Sequence, residues 1–514
     1  MTSPLAGPAL TLLLVLPWIA PLSAGPWRNG WPYLISAACL AGLLLLRRHW
    51  QPQQIARAWL LAALLSCVFA LVQYFGWAAH WAPWIATIGP GEGSGNLRQR
   101  NQLASLTGIG LVCLTYLLAQ ARESRAPRRW AMALAALTLL ALGNAVTSSR
   151  TGALAWAMVL AISLGYSWRS GQRSAALVPA IGLALYLCAS TLMPAALEWT
   201  LAQRGAPLPC ANGLCNALER LAASGSDSRI ALWRNVIDLI ALRPWSGWGW
   251  DELNYAHYIT LFTGERFSEK LGNAHNLPLQ LAVELGLPTA LGVCAALLLA
   301  IWRARPWREV CLWRQAAWGV LAVIGLHSLL EYPLWYGPFQ IAMLVCVLAL
   351  ALGTTRSHSA ADHAAPELAR FDRWVDALAL GLLLVIAVVA FDYHRTSQIY
   401  LPAHQRHSAY RDRPMEAARA SWFFQDHADF ARLALTPLRA ENAVEQLRLA
   451  QELLHHSAEP LVIERLLDSA ALLGHNDLLA FHRQRYEAAY PQAYAKWLER
   501  QGTATRVSPT NPGG

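Results

Sequence analysis

The chain has 514 residues, of which 55% are hydrophobic and only 14% charged, with a mean hydropathy of +0.29. That balance excludes an ordinary soluble globular protein and fits a polytopic membrane protein. The net charge of +10 suggests nucleic-acid binding only until the basic residues are placed along the chain, where they mark topology instead.

In chain order, apolar runs fall near 9–22, 31–46, 58–74, 103–119, 130–146, 152–167, 175–192, 277–302, 316–330, 338–353 and 375–391. Several are shorter than the ~20 residues a bilayer needs and borrow from their flanks, so about eleven transmembrane helices are expected. The first run lacks a cleavage signature and reads as a retained span. Alternate loops carry Arg47, Arg48, Arg57; Arg122, Arg125, Arg128, Arg129; Arg169, Arg173; Arg303, Arg305, Arg308, Arg314; and Arg356, Arg370, Arg373. The opposite short loops hold Arg28, Arg98, Arg100 and Arg150, an asymmetry of sixteen to four. By the positive-inside rule the amino terminus is cytoplasmic, and the long loop 193–275 and the carboxy-terminal tail face outward. Twenty-four tryptophans suit a chain with many water–lipid boundaries.

Seven of the nine cysteines lie in or beside apolar runs and read as packing residues. Cys210 and Cys215 lie in the long polar loop, where an oxidising compartment would allow a small disulfide; whether they pair stays open. Further along that loop, Asp227-Ser228 can cap a helix to about Leu242, stopped by Pro244. Trp233, Val236 and Ile240 make a stripe on it that begins at Arg229. A cation at a helix amino terminus opposes the macrodipole unless an anion sits there too. The turn RPWSGWGWDELNY suits a membrane interface. After the last span the chain turns polar, and 392–514 reads as amphipathic helices. Pairs such as Ala458–Leu473 and Asp477–Tyr490 resemble tetratricopeptide-type pairs without a clean period, and the final VSPTNPGG reads as disordered. The domain organisation expected is a transmembrane domain over 1–391, including the loop 193–275, and an outward-facing helical domain over 392–514.

The stretch GNAHNLPLQLAVELG, Gly272–Gly286, turns from a polar loop into an apolar helix. His275 precedes a polar cap and an early proline, Asn276 and Pro278. Gln280 and Glu284 follow Asn276 at i+4 and i+8 on one face, and a carboxylate carried into an apolar span suggests function by default. The first helical turn disfavours a charged imidazole, so a neutral His275 is a candidate general base. The plain alternative for His275 is a helix cap. Asn101 and Gln102 open the fourth span after GPGEGSGN, a glycine-rich loop without a Walker lysine or a nucleotide fold. Arg150 sits in TSSRTG between two closely spaced spans, where the plain alternative is anchoring to lipid phosphate. His327 and Glu331, one turn apart before YPLWYGPF, read as a structural pair, and Tyr332, Trp335 and Tyr336 as an aromatic belt. No carboxylate pair or His cluster has metal-site spacing, so no metal and no cofactor are expected. Two guanidinium groups suit a diphosphate, which they hold bidentately. The outer face of a bacterial-type inner membrane has no ATP, so an activated donor brings its own leaving group; a lipid-linked diphosphate sugar fits.

RQRNQLAS, TSSRTGALAWAM, SDSRIALWRNVIDLIALRPWSGWGW, GNAHNLPLQLAVELG and HSLLEYPLWYGPF, in that order from about residue 90 onward, resemble the O-antigen ligase/polymerase superfamily. EYPLWY and the helical tail resemble its protein-glycosylating branch, the pilin O-oligosaccharyltransferases. The resemblance implies an all-α, GT-C-like enzyme of the bacterial inner membrane. Such an enzyme moves a preassembled glycan from undecaprenyl diphosphate to Ser or Thr of a periplasmic protein, commonly type IV pilin. By motif, His275 matches the essential outer-loop histidine, Arg150 and Arg229 the arginines credited with diphosphate binding, and Gln102 a functional glutamine. Either Tyr332 or Tyr336 matches a functional tyrosine. Glu284 joins them as a candidate for the donor or acceptor pocket.

The expected reaction is a metal-independent, inverting transfer. Within the class, the alternatives are an O-antigen ligase acting on lipid A–core and a repeat-unit polymerase, both disfavoured by EYPLWY and the tail. A lipid-glycan transporter would carry polar residues through the bilayer midplane, whereas these gather at one face. A scaffold that uses the membrane part as anchor would not need eleven spans.

Overall fold

A computed structural model describes residues 5–23, 25–27, 29–121, 127–170, 174–205, 227–351 and 361–507. Cys210 and Cys215, with any disulfide between them, and residues 508–514 lie outside the described residues. The other seven cysteines are unpaired. Among the described residues all regular structure is helical. Contacts divide the chain into two compact units, one from 1–225 and 299–390, the other from 226–298 and 391–514.

The first unit contains α1 (Ala6–Ile19), α2 (Gly30–Leu45), α3 (Pro52–Tyr74), α4 (Arg100–Gln120), α5 (Pro127–Ala145), α6 (Arg150–Ser170) and α7 (Ser174–Ala202). Its central element is α4, which has more of its apolar window buried than any other long apolar helix, 78%. Small residues make that burial possible. A Cβ on Gly110 of α4 would stand 2.8 Å from Ala63 of α3, and one on Gly143 of α5 would stand 2.1 Å from Cys67 Sγ. Small side chains let helix backbones approach closely where apolar packing against lipid offers no discrimination. Helix α7 runs ten residues past the apolar run, through Pro194, because ALEWTLA is rich in helix formers.

Further along the chain come α8 (Asp227–Leu242), α9 (Leu253–Ile259), α10 (Leu277–Leu285), α11 (Leu287–Ala304), α12 (Leu312–Ser328), α13 (Gly337–Ala351) and α14 (Ala361–Ser397). The run 277–302 is thus two helices. Gly286 breaks it with φ +84°, and Pro288, in the first turn of α11, favours the interruption. Among the described residues six helices are long and apolar enough to cross a membrane: α3, α4, α6, and the spans Ala176–Ala202, Leu287–Arg308 and Asp372–Tyr400. Three more, α1, α2 and α13, are apolar but shorter. Leu291, Leu298, Trp302, Leu378 and Leu384 are each more than 60% exposed; apolar side chains presented outward along whole helices suit a lipid environment. The protein is a multi-pass membrane protein. At one end of the first unit, Asp372 pairs with Arg47 at 2.7 Å and with Arg48 at 2.9 Å, so part of the basic surplus there is neutralised.

The second unit has two cores. Leu232, Val236, Leu239, Leu253, Ala274 and Val283 form one, with the stripe expected on α8 facing it. Beyond α15 (Pro414–Arg419), the other is built from α16 (Gln425–Leu435), α17 (Ala443–His456), α18 (Pro460–Leu472), α19 (Asn476–Ala489) and α20 (Pro491–Val507). Helix α9 joins them: Tyr258 is buried in the second core and its hydroxyl lies 2.9 Å from His482 Nδ1. Asn254 Oδ1 accepts from the Ala458 amide at 2.7 Å, and Lys270 donates to Ser457 at 2.6 Å.

The Gly/Trp turn is clamped to the end of α10. Trp248 N donates to Val283 O at 2.9 Å, Gly249 N to Glu284 O at 3.0 Å, and Leu287 N to Pro244 O at 2.8 Å. A Cβ on Gly247 would meet Glu284 O at 2.3 Å, and one on Gly286 would meet Trp245 O at 2.2 Å. Both glycines have positive φ, where a side chain costs about 1–2 kcal/mol before any clash. Gly286→Ala is therefore expected to open this clamp, read as faster proteolysis within 243–250; unchanged cleavage would mean the turn is held by other contacts.

Candidate functional site

Four of the seven candidate site residues, Gln102, Arg150, Tyr332 and Tyr336, belong to one end of the first unit. Gln99 caps α4, its side chain accepting from the Gln102 amide at 2.7 Å. Gln102 is 1% exposed, and its Oε1 has no hydrogen-bond donor among the described residues. Beside it, Asn101 Nδ2 donates to Glu331 Oε1 at 2.9 Å, and Asn101 Oδ1 accepts from Ser149 Oγ at 2.6 Å. Ser149 in turn accepts from the Gly152 amide at 3.3 Å and so caps α6. Arg150, half-buried, is the first residue of that helix. One buried chain, Glu331–Asn101–Ser149, thus ties EYPLWY and RNQ to the helix start that carries Arg150. His327 has its own partner on α4, Ser105 Oγ at 2.8 Å from Nδ1. The neighbours of Glu331, Tyr332 and Tyr336, stack with ring centroids 6.2 Å apart.

Asn101 works here because an amide offers a donor to the carboxylate and an acceptor to the serine. Asn101→Asp sets two carboxyl groups against each other in a buried place, where an uncompensated charge costs about 3–5 kcal/mol. The prediction is a clear fall in the thermal midpoint of the detergent-solubilised chain. Adding Glu331→Gln restores it, because the new amide donates back to Asp. A double variant no more stable than Asn101→Asp alone would remove the chain from the account.

The remaining three candidates belong to the second unit. Asn276 caps α10, accepting from the Leu279 amide at 3.0 Å, with Pro278 in the first turn as the sequence implied. His275, just ahead of it, is half-buried with φ +51°, a left-handed backbone uncommon for non-glycine residues, among which Asn, Asp and His adopt it most. Three contacts hold it so. Its amide donates to Asn273 Oδ1 at 2.8 Å, the Ala274 amide to Gln280 Oε1 at 2.6 Å, and Trp233 Nε1 to the Ala274 carbonyl at 3.0 Å. Trp233 lies one turn beyond Arg229 on α8, so helix and histidine loop are fastened together. Arg229 itself is the third residue of α8 and half-buried.

Asn276, Gln280 and Glu284 do share a face, and the last two are 2% and 3% exposed. Glu284 Oε1 accepts from Gln280 Nε2 at 2.7 Å and from the Asp251 amide at 3.0 Å. It steadies Gln280, which in turn holds the residue before His275.

The first unit therefore gathers Gln102, Arg150, Tyr332 and Tyr336, and the second Arg229, His275 and Glu284. Ser149 and Trp233 proved to be the residues that fix two of them. A Ser before the first helical residue is a cap signal, visible in TSSRTG. The Trp233–Ala274 bond, spanning 41 residues, had no signal in the sequence.

Residues 95–118 match the protein glycosylation ligase family, 135–294 the O-antigen ligase family, and 315–504 the carboxy-terminal region of the virulence factor membrane-bound polymerases. A general O-oligosaccharyltransferase from Acinetobacter baylyi is 25% identical over 297 residues, 54% of this chain and 47% of that protein. The chain thus aligns with about half the length of that relative. The matches follow one another in the order of the motifs tied together above. By these matches the chain is similar to the O-antigen ligase/polymerase superfamily, and within it to the protein O-oligosaccharyltransferase branch.

Proposed function

We propose that the protein transfers a preassembled glycan from undecaprenyl diphosphate to a Ser or Thr hydroxyl of a periplasmic protein, type IV pilin being the leading acceptor. One observation carries this reading. Arg150 and Arg229 each occupy the first turn of a helix, and His275 immediately precedes the cap of another. Helix amino termini favour anions and disfavour cations, so arginines kept there are suited to an anionic ligand that arrives from outside. A lipid diphosphate is such a ligand.

In the proposed reaction the acceptor oxygen bonds to the anomeric carbon as the bond from that carbon to the diphosphate oxygen breaks. His275 takes the hydroxyl proton, and the two arginines carry the charge developing on the departing undecaprenyl diphosphate. In-line displacement inverts the anomeric centre. No metal or cofactor takes part. Gln102 and one of Tyr332 and Tyr336 line the donor or acceptor pocket, and Glu284 supports the histidine loop. Among the described residues each apolar run overlaps a helix, 277–302 overlapping two, which supports about eleven crossings of the inner membrane, GT-C-like. The arginine asymmetry supports a cytoplasmic amino terminus, with 193–275 and a helical domain, 392–514, in the periplasm.

The O-antigen ligase match over 135–294 favours a second reading, transfer to lipid A–core. Reconstitution with undecaprenyl-diphosphate glycan, offering purified pilin and lipid A–core side by side, decides between them. Glycosylated pilin is expected; product on lipid A–core alone would overturn the protein-acceptor reading.

A further inference from the structure

The first unit holds a cavity of about 320 Å³ lined by Trp27, Asn29, Leu97, Arg98, Gln99, Tyr332, Trp335 and Tyr336. It is built from three separate segments: the approach to α2, the turn before α4 and the turn between α12 and α13. Aromatic side chains at a membrane boundary ordinarily form a belt facing lipid. Here four rings instead enclose a concave space, together with two carboxamides and a guanidinium. Arg98 is held in a left-handed backbone, φ +57°, with its guanidinium donating to the Pro21 carbonyl. A non-glycine residue kept in that conformation marks a segment whose shape is imposed by its surroundings.

Ring faces provide apolar platforms, while carboxamides and a guanidinium supply donors and acceptors at several angles. That mixture matches a pyranose ring, with C–H faces and a rim of hydroxyls. The volume lies at the low end of the ~300–1,000 Å³ usual for small-molecule sites, room for one sugar ring and too small for a polyprenyl chain. Tyr332 follows Glu331 directly, and Glu331 leads through Asn101 to the cap of the Arg150 helix. A sugar in the cavity would therefore lie at the same end of the unit as the arginine assigned to the diphosphate.

We propose that this cavity is the subsite for the donor sugar nearest the diphosphate, with Trp335 as a stacking platform and Asn29 as a hydroxyl partner. The assignment of the sugar to the donor rests on the proposed function; the recognition of a pyranose ring does not. The test uses the full chain in detergent. Methyl α-glucopyranoside and methyl N-acetyl-α-glucosaminide are titrated by saturation-transfer NMR, with undecaprenyl phosphate as competitor. Binding of at least one glycoside is expected, at least tenfold weaker in Trp335→Ala and in Asn29→Ala, and unaffected by undecaprenyl phosphate. In transfer assays the same variants raise the KM for donor at least tenfold with kcat little changed, the mark of lost ground-state binding. Displacement of the glycoside by undecaprenyl phosphate, or wild-type affinity in both variants, would overturn the subsite. Transfer by a chain that binds neither glycoside would also overturn it while leaving the function standing. Glycoside binding lost in the variants, with no transfer from the lipid diphosphate, would instead remove the function and keep the site.

Discussion

His275→Ala is expected to abolish glycan transfer while leaving the protein in the membrane at normal yield, a loss of about 10²–10⁴ if the imidazole is the general base. Alanine alone is an ambiguous probe. The backbone at 275 is left-handed, where alanine is strained and the loop could shift for that reason. Asparagine is several-fold enriched in that conformation. His275→Asn therefore preserves the backbone and the contacts to Asn273, Gln280 and Trp233, which involve backbone atoms of residues 274 and 275, and removes the proton acceptor. Both variants should be inactive in a gel-shift assay of pilin, with unchanged solubility and thermal midpoint for the asparagine form. More than a tenth of wild-type transfer by His275→Asn would exclude the base role. Loss confined to His275→Ala would reassign the residue to shaping the loop.

Local elements were legible because their signals are local. Asp227, Ser228 and Pro244 bracket α8 at the residues where it begins and ends, and Asn276 with Pro278 marks the start of α10. Stripe residues such as Val236 are buried as their spacing implied. Periodicity reports that a face is covered, and is silent about what covers it. That is why Tyr258, in the stretch LNYAHYI, gave no hint of entering the core of the carboxy-terminal helices. The break at Gly286 was hidden for a related reason, since a hydropathy average runs straight across a single glycine. Asn101 and Glu331 both stand out in the sequence, but a hydrogen bond across 230 residues depends on how α4 and α12 pack. The sugar-sized cavity was the least accessible feature, because its three segments share no motif and each reads alone as interface aromatics or a turn.

Arg150→Lys and Arg229→Lys are each expected to cut transfer at least tenfold, without loss of stability. Lysine keeps the charge and loses the planar fork that grips two phosphate oxygens at once. A purely electrostatic anchor to lipid would tolerate the exchange. Stability should move the other way in Arg150→Gln. A cation in the first turn opposes the helix dipole by about 0.3–1 kcal/mol, so removing it should leave the thermal midpoint equal or slightly higher while activity falls further. That opposition separates a ligand-binding arginine from one that holds the fold, whose loss would lower both. The double lysine variant adds a second criterion. If both guanidiniums act on one departing diphosphate, the losses should combine non-additively; independent multiplication of the two would mean they serve different ligands. Wild-type turnover of the lipid diphosphate donor by either lysine variant would end the clamp, whatever the stability measurements gave.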